Sequence, residues 1–167
     1  LPLAISGTAT DTNASASAIK TFIAKTTGTL NLTAATTITG SAADVNSAYA
    51  ATGISGLGDE AVTLSDTSIK ASTLNTVDGN TSGSVNAGTV TTLTGTAAAA
   101  NTAYTANAAG TISGLANEAI TLTDTTLAAS VLNTLDGNTT GVANASTVTT
   151  LSGSASDLNT AYSSSGI

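Results

Sequence analysis

Ile54-Ser-Gly-Leu57-Gly-Asp-Glu60-Ala-Val62-Thr-Leu64-Ser-Asp66-Thr67 returns 58 residues later as Ile112-Ser-Gly-Leu115-Ala-Asn-Glu118-Ala-Ile120-Thr-Leu122-Thr-Asp124-Thr125. A second motif, Val90-Thr-Thr-Leu93-Thr-Gly95-Thr96, lies between the two copies. It returns as Val148-Thr-Thr-Leu151-Ser-Gly153-Ser154 and has an earlier version, Ala35-Thr-Thr-Ile38-Thr-Gly40-Ser41. We call the first motif type A and the second type B. They alternate, so that Leu64, Leu93, Leu122 and Leu151 fall 29 residues apart. A fixed period of this size is the mark of stacked repeats, in which each unit buries its apolar side only against its neighbours.

Each unit has the same order. A stretch alternating apolar residues with Thr, such as Ala119 to Thr123, reads as a strand. A small polar turn follows, then a helix: Ser68 to Val77, Ala97 to Tyr104, Thr126 to Leu135 and Ser154 to Tyr162. Asp66 and Asp124 stand where an N-cap of the following helix is expected. Asp78-Gly79-Asn80 and Asp136-Gly137-Asn138 read as helix ends closed by a left-handed glycine. The expected fold is an α/β solenoid of about six strand-turn-helix units, with a parallel sheet on one face and short helices on the other. The alternative is an all-β parallel β-helix. Alternating A and B units, with a full repeat of 58 residues, occupy residues 30–167. Residues 1–29 read as an irregular N-terminal cap or assembly unit, with a long amphipathic helix from Asp11 to Lys25.

Composition narrows the function. Thr, Ser and Ala make about half of the 167 residues, and there is no His or Cys. The three cations are Lys20, Lys25 and Lys70, set against 10 acids for a net charge of −7. Nucleic acid is disfavoured because phosphate contacts need clustered Lys or Arg. No apolar run approaches the roughly 20 residues of a membrane span, so membrane insertion is not expected. Catalysis has no His, Cys or Arg to serve as base, nucleophile or oxyanion clamp, and no enzyme activity is expected. No cofactor is expected; calcium has weak candidate ligands in Asp78 and Asp136, within their Asp-Gly-Asn-Thr turns. Asp59, Glu60 and Glu118 read as solvated or turn-forming loop acids, not metal ligands.

The Gly-Leu-(Gly/Ala)-(Asp/Asn)-Glu-Ala-(Val/Ile)-Thr-Leu motif, then Leu-Asn-Thr-(Val/Leu)-Asp-Gly-Asn-Thr, then Thr-Val-Thr-Thr-Leu-(Thr/Ser)-Gly, resembles tandem repeats of giant bacterial surface and secreted proteins, notably cyanobacterial ones. The resemblance covers roughly residues 30–167. It implies an extracellular or cell-surface, adhesin-like or fibre-forming role. The glycine- and aspartate-rich calcium repeats that often accompany that family are not in this segment.

Two surfaces follow as candidates. With the leucines inward, flanking hydroxyls would form two flat columns. One holds Thr37, Thr63, Thr92, Thr121 and Thr150, the other Thr39, Ser65, Thr94, Thr123 and Ser152. Such columns resemble the ice-binding faces of solenoid antifreeze proteins and could meet ice, polysaccharide or mineral. The second surface is the pair of ends. Leu3, Ile5 and Phe22 at one, and Leu151, Gly166 and Ile167 at the other, are expected to join copies by strand stacking. The expected partners are therefore copies of the chain or further repeats, with a glycan or surface ligand as the alternative. Tyr49, Tyr104 and Tyr162 end the type B helices and are expected to close the core on one side, the alternative being a lateral contact stripe between rods.

Overall fold

The computed structural model describes residues 3–167, and over them the chain is an α/β protein in which six helices alternate with short parallel strands. The first unit holds β1 (Gly7–Thr8), β2 (Asn13–Ser15) and α1 (Ala16–Ile23). The second holds β3 (Leu30–Asn31), β4 (Thr37–Gly40) and α2 (Ala42–Ala50). The third has three strands, β5 (Ile54–Ser55), β6 (Ala61–Leu64) and β7 (Ser68–Lys70), before α3 (Ala71–Asn80). The fourth holds β8 (Val85–Asn86), β9 (Thr92–Gly95) and α4 (Ala97–Ala109). The fifth again has three strands, β10 (Ile112–Ser113), β11 (Ala119–Leu122) and β12 (Thr126–Ala128), then α5 (Ala129–Asn138). The sixth is β13 (Ala143–Asn144), β14 (Thr150–Ser152) and α6 (Ala155–Ser163).

Every strand pair is parallel and joins neighbouring units. Thr37 of β4 faces Ala61 of β6, 24 residues on. Ser68 of β7 faces Thr92 of β9, again 24 on, and Thr92 faces Ala119 of β11, 27 on. The middle strand of each type A unit is a pivot: β6 pairs with β4 on one side and β8 on the other, β11 with β9 and β13. The third strand, β7 or β12, starts seven residues later and opens a new sheet. The 58-residue period is thus two pairing steps, of 24 and 27, and one sideways step of seven.

The four leucines 29 residues apart do not share one ladder. Leu64 faces Gly40 and Leu122 faces Gly95, in two different sheets. Leu93 lies between Ile69 and Ile120, and Leu151 beside Leu127. The type A strand buries two aliphatic residues, Val62 and Leu64, whereas the type B strand buries one, Leu93, and then turns at Gly95. The two strands share a Thr-Leu look but pair two positions apart, Ile120 and not Leu122 beside Leu93, and such a shift reassigns every neighbour.

The apolar ladders are continuous in the true register. Ala14, Ile38, Val62, Val85 and Ile112 follow one another across five strands, all buried. Full burial of such side chains is worth about 1.5–3 kcal/mol each. Helices pack each against the next, from α1 to α6. Their inward positions are mostly Ala, Val and Leu, such as Ala71, Leu74 and Val77 of α3.

Helix limits also differ from expectation. Ser68–Lys70 and Thr126–Ala128 are strands, not first turns, because Ile69 and Leu127 take places in the apolar ladders. α3 and α5 run through Gly79 and Gly137 to Asn80 and Asn138, and neither glycine has a positive φ. The last turn is held by tertiary bonds: Asn80 donates to Asn46 Oδ1, and Thr81 donates to the Glu60 carbonyl. A left-handed glycine cap does occur, at Gly110 after the longer α4.

The first unit is more regular than expected. In place of one helix from Asp11, it has a strand and then the eight-residue α1. Asp11-Thr12 precedes Ala16 as Asp66-Thr67 precedes Ala71 and Asp124-Thr125 precedes Ala129. β1 pairs with β3 as β6 pairs with β8, and Thr26 bonds the Ile5 carbonyl as Thr81 bonds that of Glu60. Residues 3–29 therefore have the form of a type A unit without its first strand. The first two residues of the expected cap lie outside the described residues.

Candidate functional site

The side chains with the most specific surroundings sit where a type B unit meets the type A unit that follows it. A helix N-terminus leaves backbone N–H groups without intrahelical partners. In α2, Ser41 Oγ accepts from Asp44 N at 3.2 Å, and in α4, Thr96 Oγ1 accepts from Ala99 N at 3.2 Å. A second acceptor comes from the next unit. Asp66 Oδ2 lies 2.7 Å from Ala42 N, and Asp124 Oδ2 lies 2.8 Å from Ala97 N. The two aspartates thus cap helices, but those of the preceding unit and not their own. Lys70 and Ala128, at the starts of α3 and α5, make no side-chain cap bond. The carboxylate also meets the positive end of the helix dipole, which favours it further.

At the other end of the same helices lies a tyrosine–glutamate pair. Tyr104 is 5% exposed and Glu118 is 0% exposed. The phenol donates to Glu118 Oε2 at 2.9 Å, and Ala116 N–H donates to the same carboxylate at 3.0 Å. Tyr49 repeats this with Glu60, at 2.9 Å, with Gly58 N–H as second donor at 2.9 Å. Of the two expectations for these acids, solvation is corrected, since Glu60 and Glu118 are buried; each does accept from the backbone N–H two residues before it, as a turn-forming acid does, and a phenol supplies a further donor. Burial, and then the Glu60 hydrogen bond, raise the Tyr49 phenol well above its ordinary value. Burial does the same at Tyr104, where Thr139 opposes and Glu118 adds to the rise. Gly83 and Gly141 close the pocket. A Cβ at Gly141 would strike the Glu118 carbonyl, and one at Gly83 that of Glu60.

Tyr162 is the exception in the tyrosine series, at 82% exposed. The expected core role holds for Tyr104 and in part for Tyr49, which is half-buried, and fails for Tyr162, where no described unit follows.

The expected threonine columns do not form as drawn. Thr63 lies beside Thr39, and Thr121 beside Thr94. Thr37 lies between Asn13 and Ala61, Thr92 between Ser68 and Ala119, and Thr150 beside Thr126. The actual polar files are mixed: Ser15, Thr39, Thr63, Asn86 and Ser113 in one, and Lys70, Thr94, Thr121 and Asn144 in another. Thr123 lies just past β11, its N–H bonded to the Gly95 carbonyl. The columns break because the type A and type B strands align with an offset of two relative to their Thr-Leu motifs.

Asp78 and Asp136 lie in the last turns of α3 and α5. Asp78 accepts from Thr111 Oγ1 at 3.2 Å and Asp136 from Ser164 Oγ at 2.7 Å. Among the described residues no three acids or His or Cys side chains converge on one metal position. Asp44, bonded by Lys20 Nζ at 2.9 Å and by Ser41, is held below the usual carboxylate range, chiefly by the Lys20 bond. No described helix is long and apolar enough to cross a membrane.

The end residues are placed as follows. Leu3 and Ile5 are 61% and 59% exposed, and Phe22 is half-buried against Gly7. Leu151 and Ile167 are partly buried and line one apolar hollow with Val148 and Tyr162. Gly166 is tied down, its carbonyl accepting from Ala143 N at 2.7 Å. Comparison with known protein families, characterised proteins and solved structures gave no match.

Proposed function

We propose that the chain is a structural repeat protein, a solenoid segment of an extracellular fibre or giant surface adhesin that extends end to end by strand stacking. The observation that carries this reading is the pairing of each unit on the next by parallel strands, with outer strand edges unpaired among the described residues at β1, β2 and β14. An open edge of a parallel sheet is a template for another strand. The most specific polar side chains, Asp66, Asp124, Glu60 and Glu118, are all spent on holding unit to unit. Polar side chains committed to contacts between units favour a structural over a catalytic role. The resemblance to cyanobacterial-type surface repeats and the Cys-free, acidic composition favour an extracellular setting.

The binding-face reading is second, since a flat surface lattice needs uninterrupted hydroxyl columns and Ala61 and Ala119 interrupt them. Negative-stain electron microscopy of the 167-residue protein over rising concentration tests the first reading. Linear rods longer than one molecule are expected. Particles that stay single at every concentration would refute it.

A further inference from the structure

The two end faces carry the two halves of one internal contact. Inside the chain, the type B strand β4 receives β6 on its outer edge, with Ile38 beside Val62 and Thr39 beside Thr63. The same contact recurs between β9 and β11. Each time, the aspartate following the arriving strand caps the type B helix. β14 and α6 form a type B surface of the same kind, and among the described residues β14 has no partner on that edge. Ala155, at the first position of α6, is exposed, while its equivalents Ala42 and Ala97 are 1% and 0% exposed. At the opposite end, β1 has the form of β6, and Asp11 the place of Asp66. Asp11 is exposed and its carboxylate accepts no hydrogen bond among the described residues.

We propose that the first unit of one molecule docks on the last unit of a second copy: Ser6 to Ala9 add to the free edge of β14, and Asp11 caps α6 at Ala155 N–H. This rests on the end-to-end reading above and assigns its interface. The register is Gly7 beside Leu151 and Thr8 beside Ser152. The side chains at this joint are exchanged as a set, which favours a second copy as the occupant. Gly7 replaces Val62, and Phe22 fills the room, since a Cβ on Gly7 would lie 2.8 Å from the Phe22 ring. Where Gly58 and Glu60 meet Tyr49, the first unit offers Leu3 and Ile5, so exposed Tyr162 meets an apolar pair in place of a carboxylate. Lys25 takes the place of Asn80 and falls to Asn159, the equivalent of Asn46. The joint therefore exchanges a polar lock for an apolar one while keeping the strand and cap.

The chain has no cysteine, which makes cross-linking clean. Adjacent parallel strands lie about 4.8 Å apart, within disulfide reach. Thr8→Cys with Ser152→Cys in one chain, mildly oxidised at assembling concentration, is expected to give a ladder of covalent multimers on a non-reducing gel. Thr8→Cys with Thr121→Cys, which puts the second thiol inside the stack, is expected to give none. Asp11→Ala is expected to weaken association about fivefold by sedimentation, the ordinary loss for an N-cap. A ladder from the first pair alone, with the Asp11 effect, supports the interface. Rods that persist while the Thr8/Ser152 pair gives no ladder, or while Asp11→Ala associates as before, overturn this interface and leave the end-to-end reading standing. Single molecules at all concentrations overturn both.

Discussion

Asp124→Ala tests whether a helix here is capped by the unit that follows it. Asp124 Oδ2 accepts from Ala97 N at 2.8 Å, and the two residues are 27 apart in sequence. Removing an N-cap acceptor costs about 1 kcal/mol. Removing a carboxylate from the positive end of a helix adds about 0.5 kcal/mol at a partly exposed site. Thr96 keeps its own bond to Ala99 N, so the helix start is weakened and not abolished. The expected loss in unfolding free energy is about 1.5 kcal/mol. Asp124→Asn keeps an acceptor and loses the charge, for about 0.5 kcal/mol. Asp11→Ala, at the same motif position with no helix beneath it, should change monomer stability by less than about 0.5 kcal/mol. Urea unfolding followed by far-ultraviolet circular dichroism, at concentrations too low for association, measures all three. Hydrogen exchange at Ala97 N gives the local readout. If Asp124→Ala unfolds like the parent chain, or Asp11→Ala loses as much, the cap between units is not a stabilising contact and the reasoning fails.

Three further outcomes follow from the same contacts. Leu93→Ala opens a cavity between Ile69 and Ile120 at a fully buried site and should cost about 3 kcal/mol by the same urea assay. Gly141→Ala drives a methyl into the Glu118 carbonyl and should cost about 2 kcal/mol or more, whereas Gly137→Ala, with open space around it, should not destabilise. The Tyr49 and Tyr104 phenols have folded pKa values above their unfolded values. Their stabilisation is therefore complete below about pH 10 and is lost as pH rises from there toward the folded values. Stability measured across alkaline pH should be level to about pH 10 and then fall. Tyr49→Phe/Tyr104→Phe should flatten that fall; a fall unchanged in the double variant would remove the assignment.

The repeat, the alternation of two unit types and the one-helix-per-unit order are readable because motif spacing survives substitution. Register is not, because Val62-Thr63-Leu64 and Thr92-Leu93-Thr94 look alike and bury different positions. β12 is hidden because Leu127 also fits helical spacing with Val131, four residues on, and only its neighbour Leu151 makes it a strand. The capping aspartates are visible as caps but not as caps of the preceding helix, since propensity rules are local and this acceptor arrives from 24 or 27 residues away. Glu60 and Glu118 give little local sign of burial, with their tyrosines 11 and 14 residues distant. The first unit is disguised by Gly7 and Ala9, which stand for Val62 and Leu64. The Asp-Thr pair five residues before Ala16, Ala71 and Ala129 is the signal that reveals it.

The sideways step at β7 and β12 gives the sheets the bond of laid brickwork. One sheet stops at β5 and another starts at β7, both beside β6, which runs on in a third; one stops at β10 and another starts at β12 beside the unbroken β11. No joint between sheets crosses the whole wall at one course. Each break in one sheet therefore lies in a unit whose middle strand, β6 or β11, keeps its backbone pairing on both sides.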